Sequence, residues 1–137
     1  MSPPRLASVA LLLVCTGCTR LHKTRECKDF AKLVNRRLDT IEASLAVKSA
    51  VNYRASSLTY AELSKEVRAA AKPLHPELAA EEFAQVFDSA AHATKNYALA
   101  LDSKDTQQQS ELQRELERLA RQEHSLVLRV NSHCENP

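Results

Sequence analysis

Apolar positions recur at helical spacing along most of the chain. Cys27, Phe30, Val34, Leu38, Ile41 and Leu45 follow at steps of 3, 4, 4, 3 and 4, one face of a helix. Lys28, Lys32, Arg36, Asp39 and Lys48 lie opposite. The stripe fades at Asn52, and Ser56 or Ser57 is the expected N-cap of a second helix. There Tyr60, Leu63, Val67 and Ala70 recur until Pro73 ends the run. The stretch Pro73-Leu74-His75-Pro76 reads as a turn, because a residue before proline is pushed out of the helical region. Pro76 is then expected at the first position of a third helix, where its missing N–H costs nothing. Glu77, Glu81 and Glu82 suit that end electrostatically.

In the third segment Ala79, Phe83, Val86, Ala90, Ala93, Tyr97 and Ala100 alternate steps of 4 and 3, a sustained seam. Its alanines predict close approach to neighbouring helices. Asp102 to Asp105 break the pattern without glycine, and Ser103 or Asp105 caps the fourth helix. Its stripe is Leu112, Leu116, Leu119, Glu123, Leu126, Val130 and Cys134. Glu123 interrupts the seam. Because an unpaired glutamate is rarely buried, it is expected to turn to the rim while Leu126 and Val127 share the burial.

The first residues do not belong to this pattern. Met1 to Arg5 carry one positive charge, and Leu6 to Val14 form a nine-residue, predominantly apolar run. Nine helical residues span about 14 Å, less than half the ~30 Å hydrocarbon core, so the run reads as a signal sequence rather than a membrane span. Cys15-Thr16-Gly17-Cys18 follows. This leader resembles a bacterial lipoprotein signal, whose lipobox is an aliphatic residue, two small residues and a cysteine. Cys15 stands where leucine or valine is usual. A frame with Cys15 as the lipidated residue would place Val14 at the cleavage point and fits less well. The resemblance implies removal of residues 1–17, diacylation of Cys18 and a membrane-tethered N-terminus. Residues 18–25 would be a basic tether and 26–137 the bundle domain.

Cys15-x-x-Cys18 is not followed by histidine, so it does not attach haem, and within a leader it is not a redox or metal pair. After export Cys27 and Cys134 remain, an even pair expected to form a disulfide in an oxidising compartment. Cys27 opens the first stripe and Cys134 closes the last. A disulfide needs Cα atoms within about 7 Å. In an up-and-down bundle only an even helix number brings those two ends to one pole. The expected fold is therefore all-α, an up-and-down four-helix bundle stapled between the start of the first helix and the end of the last. The whole layout also resembles small lipoproteins of predatory and social deltaproteobacteria. Thr19, not aspartate, follows Cys18, which in the enteric sorting pattern implies the outer membrane.

Composition narrows the function. The one glycine of the chain, Gly17, is in the leader. This excludes phosphate-cradling loops, dinucleotide turns and nucleophile elbows from the body. Aromatic residues are 4%, too few to stack single-stranded nucleic acid. Without Arg5, eighteen cationic side chains face seventeen acidic ones, so no nucleic-acid partner is expected. Arg20, Lys23 and Arg25 follow the lipid site and could touch anionic head groups.

No catalytic set is apparent. His22, His75, His92, His124 and His133 form no i,i+4 pair, and none follows a glutamate by three residues, so neither zinc nor di-iron spacing is present. His92 follows Asp88 by four, an expected exposed ion pair, and His133 adjoins Cys134. Tyr53, Tyr60 and Tyr97 read as core or interface residues. No cofactor or metal is expected.

The reading is a non-enzymatic, lipid-anchored envelope protein that presents a helical surface to an unidentified envelope protein. Its candidate contact surfaces are the Pro73 to Pro76 turn and the mixed-charge face of the fourth helix. The alternative is a small-ligand or lipid carrier that opens the seam around Ala79, Phe83, Ala90 and Ala93. An enzyme would need a cluster of perturbed pKa values around Glu123, His124 or His133.

Overall fold

A computed structural model describes residues 21–71 and 76–135. Within them the chain forms four helices, α1 (Leu21–Leu45), α2 (Ala50–Ala71), α3 (Ala80–Asp102) and α4 (Thr106–Glu135), with no strand among the described residues. Consecutive helices are antiparallel neighbours; of the four pairs adjacent around the bundle, α2 and α3 pack most extensively and α1 and α4 least. Cys27 and Cys134 are joined with Cα atoms 6.2 Å apart, which closes the up-and-down bundle at one pole.

The stripes form the core. Phe30, Val34, Leu38 and Ile41 of α1 meet Tyr60, Leu63 and Val67 of α2, Phe83, Phe87 and Ala90 of α3, and Leu116, Leu119 and Val130 of α4. Ring contacts link the layers. Phe30 meets Phe83 edge to face at 5.5 Å, and Tyr53 stacks on Tyr97 at 4.5 Å. The alanine-rich α3 lies close enough to α2 for serine hydroxyls to reach its backbone. Ser57 donates to the Ala91 carbonyl at 2.6 Å and Ser64 to the Ala84 carbonyl at 3.1 Å.

The helix ends depart from the sequence reading in three places. Helix α1 starts at Leu21, so residues 21–25 are helical rather than tether; nothing in His22-Lys23-Thr24-Arg25 breaks a helix. Helix α2 starts at Ala50, and its N-cap is Ser49, whose hydroxyl accepts the Asn52 N–H at 3.1 Å. Ser56 lies a turn and a half inside that helix and is buried. Its polar letter hides one step of a stripe that runs Tyr53, Ser56, Tyr60, Leu63 and Val67. Pro76 opens a 3-10 turn, Pro76–Leu78, and not α3 itself; Ala79, at φ 53°, separates the two. The turn at 73–75 lies outside the described residues.

Between α3 and α4, Asp105 is the cap that forms, accepting the Gln108 N–H at 3.0 Å, while Ser103 ends α3. The end of α3 is a Schellman motif: the Asp105 N–H bonds the Ala100 carbonyl, and the Lys104 N–H bonds that of Leu101. The left-handed position that glycine usually fills is taken by Lys104, at φ 56°.

Ion pairs lace adjacent helices at the surface. Arg37 of α1 reaches Glu62 and Glu66 of α2, Arg68 of α2 reaches Glu81 and Asp88 of α3, and Arg129 of α4 reaches Glu82 of α3. These carboxylates hold the Arg37 and Arg68 guanidiniums in the charged form. Exposed pairs of this kind are each worth little, but their placement agrees with one helix order.

Candidate functional site

Two features stand apart from an ordinary packed bundle. The first is the disulfide pole. Cys27 and Cys134 are both buried, and His133 beside them is half-buried. Cys18, the expected lipid site, lies outside the described residues, as do Cys15 and Arg20.

The second is a polar row inside the core, where the structure corrects the sequence reading. Glu123 does not turn to the rim; it is 0% exposed, and neither carboxylate oxygen has a protein hydrogen-bond partner. Its backbone position explains this. On α4 it lies at the centre of the stripe between Leu119 and Leu126, all three buried, and a short side chain at the middle of a seam cannot reach water. Burial pushes its pKa up to about 8, so the carboxyl is largely neutral at neutral pH.

The facing helix supplies more buried hydroxyls. Tyr53, Ser56 and Tyr60 lie on one stripe of α2, and none of their oxygens has a protein partner. Burial, then the Glu123 charge, then Tyr53 raise the Tyr60 phenol well above its ordinary value; burial and then Tyr97 push Tyr53 to about 12. The row thus combines one acid, kept protonated by burial, with three buried hydroxyls. Such a set can exchange a proton slowly with solvent when the bundle opens. Its members are buried within the same core as Phe87 and Leu119. The signal for this row was present in the sequence as the steps of 3 and 4 from Tyr53 through Ser56 to Tyr60.

The remaining candidates fall elsewhere. His124 is exposed and does not join Glu123 in the core. His92 lines an open groove of about 400 Å³ with Asp88, Ser89 and Asn96 of α3 and Leu112 and Glu115 of α4. The acids of this groove are already engaged. Asp88 binds Arg68, not His92, and Glu115 binds Arg118, whose hydrogen bond keeps the Glu115 carboxyl below its usual range. Among the described residues no group of three histidine, cysteine, aspartate or glutamate side chains is placed to hold a metal ion. His75 and the Pro73 end of the expected contact turn lie outside the described residues, and the side chain of His22 is not among those placed. The seam residues Ala79, Phe83, Ala90 and Ala93 are all buried against neighbouring helices.

A further groove, of about 860 Å³, runs along the outside of α1 between Lys28 and Asp39. On the outer face of α2, Val51 and Leu58 are 67% and 69% exposed. No described helix is long and apolar enough to cross a membrane. No protein-family model matches the chain, and no similar curated protein or solved structure was found.

Proposed function

We propose that this chain is a membrane-anchored lipoprotein of the bacterial cell envelope, held by a lipid on Cys18, whose helical bundle is a non-catalytic protein-interaction or structural module. The observation that carries this reading is the Cys27–Cys134 pair. It takes up the two cysteines of the body, leaving Cys15 and Cys18 together in a leader of lipoprotein type. A stapled, strongly packed bundle suits an oxidising compartment, where such a link persists. Enclosure of Glu123, the one strongly perturbed carboxyl among the described residues, favours a structural over a catalytic role. Thr19 after Cys18 favours the outer membrane.

The test is to tag the chain after Pro137, crosslink intact cells and identify what co-purifies, with the mass of the N-terminal peptide read in the same sample. A diacylated Cys18 and one recurrent stoichiometric envelope protein support the proposal. An unmodified Cys18 removes the anchor. A chain recovered alone with bound lipid or pigment replaces the interaction role with that of a carrier.

A further inference from the structure

We propose that the outer face of α1 is a membrane-apposed surface, on which Arg25, Lys28, Lys32 and Arg36 meet the anionic head groups of the bilayer that holds Cys18. The bundle then lies on its side instead of standing on its disulfide pole. This inference rests on the lipid anchor proposed above.

The four cations follow at steps of 3, 4 and 4 and are all exposed. That spacing places them on one helical face, opposite the buried stripe of Phe30, Val34, Leu38 and Ile41. Their environment differs from that of Arg37, Arg54, Arg68, Arg118 and Arg129, each of which is paired with a carboxylate. None of the ion pairs among the described residues involves Arg25, Lys28, Lys32 or Arg36. Asp29 is exposed on the flank of this face and Asp39 within it, so four cations stand against two anions.

The groove along this face mixes charged and apolar side chains. Lys28, Lys32, Arg36 and Asp39 line it together with Ala31, Leu33 and Asn35. Long cationic side chains beside apolar ones match a head-group layer, where phosphates meet the ends of acyl chains.

Geometry decides between the two orientations. Lys28, Lys32 and Arg36 lie roughly 10, 16 and 22 Å along the axis from the start of α1. At physiological salt, charge is screened beyond about 8 Å. Upright on its pole, the bundle would leave Lys32 and Arg36 outside the field of the head groups. On its side, all four cations enter it. The row of unpaired cations selects the second posture.

The test uses the mature chain purified from envelopes and reconstituted into two kinds of vesicle, phosphatidylethanolamine with phosphatidylglycerol, and phosphatidylcholine alone. An amine-reactive reagent is applied, and labelling is read lysine by lysine. Lys28 and Lys32 should label at least about threefold more slowly on the anionic vesicles, while Lys65, Lys95 and Lys104 on the other helices stay unchanged. High salt should abolish the protection. Arg25→Gln combined with Arg36→Gln keeps both reporter lysines and should reduce their protection by about half or more. Equal labelling on both vesicles overturns the inference, as does protection that ignores salt. Protection found in whole envelopes but on neither vesicle overturns it in favour of an acidic protein partner. Failure of the anchor itself shows separately, as an unmodified Cys18 peptide; the same lysine pattern, measured with that chain mixed with excess vesicles, still decides the α1 face.

Discussion

The Tyr60 phenol lies in the field of the Glu123 carboxyl inside the bundle, and neither group has a protein hydrogen-bond partner. The sign of the resulting pH dependence follows from the raised pKa. Glu123 titrates at about 8 when folded, against roughly 4.3 in an unfolded chain. Its neutral form is bound more tightly by the folded state, so this contribution is fully present below about pH 4 and is lost as the pH rises toward 8. Over that window the loss is about 3–5 kcal/mol. Urea unfolding of the wild type and Glu123→Gln at pH 5 and pH 8 isolates it. The wild type should lose stability relative to the variant as the pH rises; parallel curves would mean that the carboxyl reaches water.

The same site predicts a gain from an apolar replacement. Glu123→Leu removes a buried group that nothing satisfies and keeps most of its volume. At pH 8 it should stabilise the bundle by about 2–4 kcal/mol. A melting curve shifted downward would show that the carboxyl has partners in solution that make its burial favourable.

Two serines on α2 should respond in opposite directions to alanine. Ser49 caps the helix through the Asn52 N–H, so Ser49→Ala should cost about 1 kcal/mol. Ser56 is buried and its hydroxyl has no protein partner, so Ser56→Ala should be neutral or stabilising by up to about 1 kcal/mol. Chemical denaturation of the two variants distinguishes the assignments. A larger loss for Ser56→Ala would return the cap to the interior serine.

These cases mark where the chain was legible. Four stripes, their order and the disulfide could be read because apolar letters at steps of 3 and 4 report burial directly. Ser56 and Glu123 could not, because each is a polar residue at a core position, fixed there by the register of the apolar residues on either side. The start of α1 was placed late because the stripe begins only at Cys27, although helical backbone does not need an apolar face in its first turns. The sequence pattern places Arg25 in a tether and Lys28, Lys32 and Arg36 opposite the apolar stripe. Only the helix running back to Leu21 joins them as one row.

The scarcity of glycine gives another prediction. Lys104 and Ala79 occupy left-handed backbone at φ 56° and 53°, where a Cβ is unfavourable. Lys104 is exposed, so Lys104→Gly changes little but the backbone and should stabilise the α3–α4 turn by about 0.5–1 kcal/mol. Ala79 is buried, and glycine there removes a packed methyl, so the gain should be smaller. Equal destabilisation by both would mean that the turn does not hold these angles in solution.

The disulfide should matter most where the packing is thinnest. It links residues 107 apart in sequence, and closing so long a loop contributes about 2–5 kcal/mol. For a domain of this size that corresponds to a fall in melting temperature of roughly 10–30 °C on reduction, or in a chain carrying both Cys27→Ala and Cys134→Ala. The loss should not be uniform. Helices α2 and α3 share the most extensive interface, whereas α1 and α4 meet little beyond the disulfide. Hydrogen exchange after reduction should therefore accelerate first near Cys27 on α1 and near Cys134 on α4. Amides around Leu63 and Phe87, deep in the α2–α3 pair, should be the last to follow. Uniform acceleration would show instead that the bundle opens as one unit and that the link acts only on the unfolded chain.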